Sequence, residues 1–147
     1  MTRAARGCYT GRMSLAITVD QAQELLDRTP FTRELGLHVV SLADGECVLD
    51  IPFDPRTERP DHIINGGVYM TAADVTMWLA IMTRLGLAQR TVTTNMETAF
   101  LSAAIKENIR CTARVFKWGS RLVYGTAECA NKSGKLLTHH TLTYIRL

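Results

Sequence analysis

One stretch decides the fold, and it reads NGGVYMTAADVTMWLAIMTRLG at residues 65–86. Its apolar residues do not keep to one stripe, because over residues 68–84 they cover nearly the whole circumference of a helix. A helix that is apolar all round is buried all round. Gly86 supplies a stop signal, since glycine readily adopts the left-handed conformation that ends many helices. The sequence therefore predicts one long helix, residues 68–84, at the centre of the molecule.

Runs of residues typical of β-strands surround this helix. Two runs precede it and are separated by Asp44-Gly45, a strong hairpin signal, and short turns join the later ones. Consecutive strands joined by short turns form an antiparallel sheet. We expect an α+β fold in which a curved antiparallel sheet wraps around the helix. A capping box at Thr18 predicts an earlier helix, to about residue 27, and residues 54–61 are expected to form a loop. The predicted strands are residues 37–42, 47–53, 91–100, 109–118, 122–130 and 136–145.

Length, charge and cysteine spacing exclude several classes of protein. A chain of 147 residues is long enough for one sizeable core, and we expect a disordered tail over residues 1–17 and a single domain over 18–147. The net charge is only +3 with no basic cluster, which argues against a nucleic-acid partner. No segment is long and apolar enough to span a membrane. The four separated cysteines indicate reduced thiols in a cytoplasmic protein, and we expect no metal and no cofactor.

Asp74 is the anomaly of the central helix. It is the only charged residue between Asp61 and Arg84, and its neighbours are apolar. Burying an unpaired carboxylate costs several kcal/mol, so it needs a partner, a raised pKa or a wet pocket. One interpretation is a structural aspartate that accepts a hydrogen bond from Thr71, one turn earlier. The alternative, which we favour, is a catalytic base or nucleophile.

Gly66 and Gly67 at the start of the helix are the second candidate feature. Free amides of a first helical turn can stabilise a developing oxyanion, and glycine lets a substrate approach the backbone closely. Eight residues of helix separate Gly66 from Asp74 by about 12 Å. One chain therefore cannot bring both to one carbonyl, and the spacing predicts a dimer with active sites at its interface.

Together these motifs resemble the hotdog-fold acyl-CoA thioesterases of the phenylacetate-degradation type. That family has a His-Gly-Gly motif, an aspartate eight residues after the first glycine, and then a threonine-rich strand. The resemblance implies that the Gly66 amide, helped by Gly67, polarises the thioester carbonyl. It implies that Asp74 of the partner chain is nucleophile or general base, and that Thr93 orients it. The matching segments are NGG at 65–67, AD at 73–74, TTNME at 93–97 and FL at 100–101.

Two positions depart from the family pattern. Asn65 stands where the family has histidine, and it can still cap the helix. Arg59 stands where the family has asparagine, and it adds positive charge. His62 lies close by and is a candidate substitute.

The resemblance also implies acyl-CoA as the substrate and a homodimer, or a dimer of dimers, as the assembly. We expect Met70 and Trp78 of the helix to line an acyl tunnel between subunits. Arg121, in a later turn, is a candidate contact for the phosphates of coenzyme A. Two alternatives remain: a hotdog hydratase or dehydratase acting on hydroxyacyl thioesters, and a non-catalytic module that binds acyl-CoA.

Overall fold

The computed structural model describes residues 14–147. Residues 1–13, most of the predicted tail, lie outside the described residues. Residues 16 and 17, which the sequence assigned to the tail, belong to the packed domain. The amide of Ala16 donates to the carbonyl of Thr83 over 2.7 Å, and Ile17 is buried in the core.

Two short helices lead into the sheet. Helix α1 (Val19–Arg28) begins with the predicted capping box, in which Thr18 and Gln21 each bond the other's backbone amide. Helix α2 (Pro30–Glu34) begins at a proline, whose fixed φ and missing amide suit the first position of a helix.

The sheet has six long strands, all antiparallel, in the spatial order β1-β2-β6-β7-β8-β5. This confirms the predicted α+β architecture, and each predicted strand lies within about two residues of its observed ends. The strands are β1 (His38–Ala43), β2 (Glu46–Ile51), β5 (Thr91–Phe100), β6 (Ile109–Trp118), β7 (Leu122–Asn131) and β8 (Leu136–Arg146).

Residues 54–64, predicted as a loop as far as 61, contain short elements of their own. Two single-turn 3-10 helices, Pro55–Thr57 and Pro60–His62, alternate with strands β3 (Glu58–Arg59) and β4 (Ile63–Ile64), which pair with each other. Prolines punctuate this segment because each can start a helical turn but cannot donate to a ladder.

Helix α3 (Gly66–Leu85) crosses the concave face of the sheet and starts two residues earlier than predicted. The side chain of Asn65 accepts a hydrogen bond from the Gly67 amide over 2.9 Å, so the cap draws both glycines into the first turn. Twelve residues of α3 are buried, among them Met77 and Met82, and they form the middle of the core.

The expectation that α3 is buried all round is wrong for one stripe. Met70, 41% exposed, shares a helix face with Asp74 and Trp78, and neither of those is fully buried. These residues are four apart and therefore stack along one side of the helix. The single chain leaves this side of α3 uncovered by its sheet.

Within residues 14–147, no helix is long and apolar enough to cross a membrane. Cys47, Cys111 and Cys129 are buried free thiols, as expected from their spacing. Cys8 lies outside the described residues.

Candidate active site

Two hydroxyl groups hold the Asp74 carboxylate at one of its oxygens. The Thr93 hydroxyl donates to Oδ1 over 2.6 Å, and the Tyr144 hydroxyl donates to the same oxygen over 2.5 Å. The Tyr144 hydroxyl also lies 2.7 Å from the Asp74 carbonyl oxygen. Among the described residues Oδ2 accepts no hydrogen bond, so it is the oxygen available for chemistry.

The sheet register explains why both hydroxyls reach the same carboxylate. Thr93 of β5 and Tyr144 of β8 are directly opposite each other in the antiparallel pair, so their side chains share the face that meets α3. Burial and the neighbouring carboxylate of Asp74 raise the pKa of Tyr144. The phenol therefore stays protonated and acts as a donor.

Tyr144 was missed by the sequence analysis, although a signal was present. It lies in a strand where every second residue faces the core, and a buried tyrosine hydroxyl needs a polar partner. Asp74 was the only charged residue of the central helix before Arg84. The predicted alternative partner, Thr71, makes no hydrogen bond to Asp74 in the described chain.

At the start of α3, Asn65 organises the helix terminus. Its side-chain amide donates to the Thr57 carbonyl over 2.6 Å, while its side-chain oxygen accepts from the Gly67 amide. The Gly67 amide is therefore occupied. The Gly66 amide donates to no group among residues 14–147, which leaves it available at the positive end of a 20-residue helix.

A cleft of about 420 Å³ opens beside Gly66. Its volume is within the range of small-molecule sites. Its walls combine apolar side chains with polar groups, among them the charged residue Arg59. The lining residues beside Gly66 are Arg59, Ile63, Tyr69, Phe100, Leu101 and Ser102.

The other predicted substrate contacts lie outside this cleft. The exposed His62 makes a 2.7 Å bond to the Glu58 carboxylate. Met70 and Trp78 lie on the Asp74 face of α3. Arg121 is exposed in the turn after β6, where its carbonyl accepts from Arg146.

Strand β5 links the two halves of the site. Near the start of the strand, the Thr93 hydroxyl donates a hydrogen bond to Asp74. At its end, Phe100 packs against Gly66. A methyl group added at Gly66 would lie 3.1 Å from the Phe100 ring. The carboxylate and the free amide therefore lie toward opposite ends of one strand. The chain offers an oxyanion-stabilising amide at one end and a held carboxylate at the other.

A curved antiparallel sheet wrapped around one long helix defines the class of hotdog-fold proteins. The chain belongs to the Thioesterase superfamily, whose family profile matches residues 61–138. That matched region contains the Gly-Gly motif, Asp74 and Thr93, and membership places the protein among the thioester hydrolases.

Known proteins agree with this membership. The chain is 29% identical over 102 residues to a Saccharolobus solfataricus protein named "Putative esterase SSO2140", covering 69% of this chain and 72% of that protein. Zebrafish Thioesterase Superfamily Member 2 is 28% identical, with a TM-score of 0.79 over 88% of this chain and 98% of its own.

Two more distant structures share the fold. The PaaI protein from the phenylacetic acid degradation operon of E. coli is 17% identical, with a TM-score of 0.79 over 87% of this chain and 91% of its own. A hypothetical thioesterase protein from Streptococcus pneumoniae, solved with coenzyme A, is 16% identical, with a TM-score of 0.69 over 76% and 85%.

Proposed function

We propose that this protein hydrolyses acyl-CoA thioesters, with the Gly66 amide as oxyanion donor and Asp74 as the group that starts the attack. The observation that carries the proposal is the state of the Asp74 carboxylate. One oxygen is fixed by Thr93 and Tyr144, and the other is free. A carboxylate oriented in this way, on a partly exposed helix face, suits a base or nucleophile better than a structural ion.

The assembly that we propose is a two-fold dimer through the edge of β5. This strand is at the end of the sheet, ten residues long, and contains no lysine and no proline. Such an unprotected edge exposes a row of backbone donors and acceptors to a second strand. A second copy satisfies them by continuing the sheet, and a symmetric pair has the same patch on both subunits.

Pairing two β5 edges would also complete the active site. With the two-fold axis perpendicular to the strands, the copies run antiparallel, so the Thr93 end of one meets the Phe100 end of the other. Asp74 of one subunit then approaches Gly66 of the other. Within a single chain the helix rise of about 1.5 Å per residue keeps these two residues about 12 Å apart. The turn that contains Arg121 lies at the Thr91 end and moves toward the partner's cleft in the same way. Pairing of two such dimers is a further step of the proposal.

Two routes fit this arrangement. In both, the thioester oxygen accepts a hydrogen bond from the Gly66 amide as the carbonyl carbon becomes tetrahedral. In the first, Oδ2 of Asp74 removes a proton from water, the water oxygen bonds to the carbon, and CoA thiolate leaves and is protonated. In the second, Oδ2 bonds to the carbon, thiolate leaves, and water hydrolyses the resulting anhydride. A single turnover in ¹⁸O-water identifies the second route when water attacks the Asp74 carbon of the anhydride, because the isotope then enters Asp74 and the released acid carries an oxygen from Asp74. In the first route the isotope always enters the released acid.

Two observations support coenzyme A as the carrier of the acyl group. One is the positive charge of Arg59, and the other is a protein of the same fold. Arg59 lines the cleft and is exposed, so its guanidinium can meet a phosphate. The pneumococcal fold relative was solved with coenzyme A. We place Arg59, His62 and the partner's Arg121 along the CoA path, and Met70 and Trp78 at the acyl group.

A cytoplasmic location agrees with three buried thiols that remain unpaired.

Release of free thiol from a panel of acyl-CoAs tests the proposed function. The panel contains short, long, aromatic and hydroxylated acyl groups, and a thiol-reactive dye reports turnover. We expect release from at least one member. A folded, dimeric protein that binds acyl-CoA but releases no thiol from any member would contradict hydrolysis and favour a binding module instead.

The variant Tyr144→Phe tests how the carboxylate is held. We expect a loss of about 2 kcal/mol in the free energy of unfolding, because a hydrogen bond to a charged group is removed. Asp74 then keeps only Thr93 as a donor, and we expect kcat to fall about tenfold. Tyr124→Phe is the matched control, since Tyr124 is exposed on the neighbouring strand. Equal behaviour of the two variants would show that Tyr144 does not position Asp74.

The variant Asn95→Lys tests the proposed dimer edge. Asn95 is exposed in the middle of β5, so a two-fold pairing would bring two added lysines close together. We expect a shift from dimer to monomer in sedimentation velocity, with loss of turnover. Ser41→Lys places the same charge on β1, the opposite edge of the sheet, and is expected to change neither. A persistent, active dimer in Asn95→Lys would exclude this edge as the interface.

A further inference from the structure

Two arginines face each other at the end of the sheet where β5 begins. Arg121 and Arg146 are directly opposite in the pairing of β7 with β8, because the Arg146 amide donates to the Arg121 carbonyl over 2.7 Å. Both side chains are on the side of the sheet that meets α3, since they alternate in step with the buried Val123 and Tyr144. Like charges directly opposite each other in a sheet are destabilising, so this pair favours a bound anion.

The described chain supplies no counter-ion to this pair. Within residues 14–147, no ion pair includes Arg121, Arg146 or the neighbouring Arg90, and all three side chains are exposed. Arg90 belongs to the same cluster because its carbonyl accepts from the Leu147 amide over 2.9 Å. Four other arginines each hold a carboxylate at 2.6 to 2.7 Å, namely Arg56, Arg84, Arg110 and Arg114.

A cavity of about 300 Å³ opens at this arginine cluster, which consists of Arg90, Arg121 and Arg146. Arg90 and Arg146 line the cavity together with Thr91, which is opposite Arg146 in the β5–β8 pair. Thr91 and Arg146 are each two residues along their strands from a hydroxyl that holds Asp74. At about 3.3 Å per residue, the cluster is about 7 Å along the strands from those hydroxyls.

The charge of the cluster indicates which class of anion fits. A carboxylate carries one negative charge, whereas a phosphate monoester carries about 1.5 to 2 at pH 7 and presents three strong acceptor oxygens. Guanidinium groups match phosphate oxygens in two-point contacts. We infer that Arg121 and Arg146, with Arg90 beside them, bind a phosphate group.

Two sources could supply this phosphate. One is the substrate, since coenzyme A carries phosphates. In the proposed dimer, the Thr91 end of one subunit meets the Phe100 end of the other, so the arginine cluster faces the partner's cleft at Gly66. This source rests on the proposed function, and it adds two residues to the contact expected of Arg121 alone. The other source is free phosphate, which would bind the same groups whether or not the protein is a thioesterase.

Binding without turnover tests the inference and separates the two sources. In the Asp74→Asn background, calorimetry gives the dissociation constants of hexanoyl-CoA, of inorganic phosphate and of hexanoyl-pantetheine, a thioester without phosphate. We expect Arg146→Gln to weaken the binding of hexanoyl-CoA, of inorganic phosphate or of both about tenfold, because charge-assisted hydrogen bonds are lost. Hexanoyl-pantetheine should bind as before. Arg33→Gln, at an exposed arginine of α2, is the matched control.

Each outcome of this experiment has one meaning. A loss for hexanoyl-CoA assigns the phosphate to the substrate, and a loss for inorganic phosphate alone assigns it to free phosphate. Affinities of Arg146→Gln within twofold of those of Arg33→Gln for both ligands overturn the inference, and so does an equal loss for hexanoyl-pantetheine. Thiol release by the wild type is scored separately and decides only the proposed function.

Thermal stability supplies a second readout that a structural role would not match. In phosphate-free buffer of low ionic strength, we expect the Tm of Arg121→Gln to equal or exceed that of the wild type, because one of two opposed charges is removed. Any gain should shrink at high salt, which screens exposed charges. A clear fall in Tm would show that Arg121 already has a partner in the free protein and would overturn the inference.

Discussion

Replacing Asp74 with asparagine is expected to lower kcat about a thousandfold while leaving the fold and the dimer intact. The loss follows from removing a positioned base or nucleophile, a contribution of about 10² to 10⁴ in rate. The fold survives because the asparagine oxygen can still accept from Thr93 and Tyr144, as Oδ1 of Asp74 does. Steady-state thiol release and thermal unfolding of the same samples provide the measurement.

The companion variant for Asp74→Asn is Thr93→Val, which removes one donor but keeps the carboxylate. We expect this variant to retain far more activity than Asp74→Asn, because Tyr144 still holds Oδ1. Wild-type rates in Asp74→Asn would remove Asp74 from the mechanism. Equal losses in the two variants would point to a damaged site rather than to lost chemistry.

The second large effect is expected from Gly66→Ala. The added methyl group leaves the amide in place but crowds the position of the thioester carbonyl, and a displacement of about 1 Å can cost about 100-fold in rate. We expect a loss of that size in kcat/KM, with a normal Tm. The methyl group would lie 3.1 Å from Phe100, whose exposed ring can move aside.

Phe100→Ala separates crowding of the substrate from displacement of Phe100. If Gly66→Ala acts on the carbonyl, the double variant Gly66→Ala/Phe100→Ala remains as slow as Gly66→Ala alone. Recovery of the rate in the double variant would assign the effect to the aromatic ring. Unchanged kinetics in Gly66→Ala itself would reject the oxyanion role.

Local patterns were enough to predict the fold. The all-round apolar character of residues 68–84 indicated a central helix, and alternating strands with short turns indicated the antiparallel sheet. The helix start was placed two residues late because Gly-Gly is a poor helix former in isolation. The Asn65 cap outweighs this cost through two side-chain hydrogen bonds.

Contacts between distant parts of the chain were beyond the sequence patterns. Asp74 was recognised as unusual, yet its partner Tyr144 lies 70 residues away and is brought near by the β5–β8 register. Hydropathy did not predict the partly exposed stripe with Met70 and Trp78 for a related reason, although the family resemblance had placed both residues in a tunnel between subunits. Hydropathy records that these residues are apolar, but one chain's sheet does not cover them.

Subunit complementation tests the central claim, a site shared between two chains, most directly. Asp74→Asn and Gly66→Ala homodimers, each nearly inactive, are unfolded and refolded together in equal amounts. In a shared site, each mixed dimer has one pocket with both native groups. Random pairing makes half of the dimers mixed, and each mixed dimer has only one of its two sites intact. About a quarter of the wild-type activity should therefore return. If mixed dimers form, as mass spectrometry can show, and activity stays at the level of the two parents, Asp74 and Gly66 do not act across the interface.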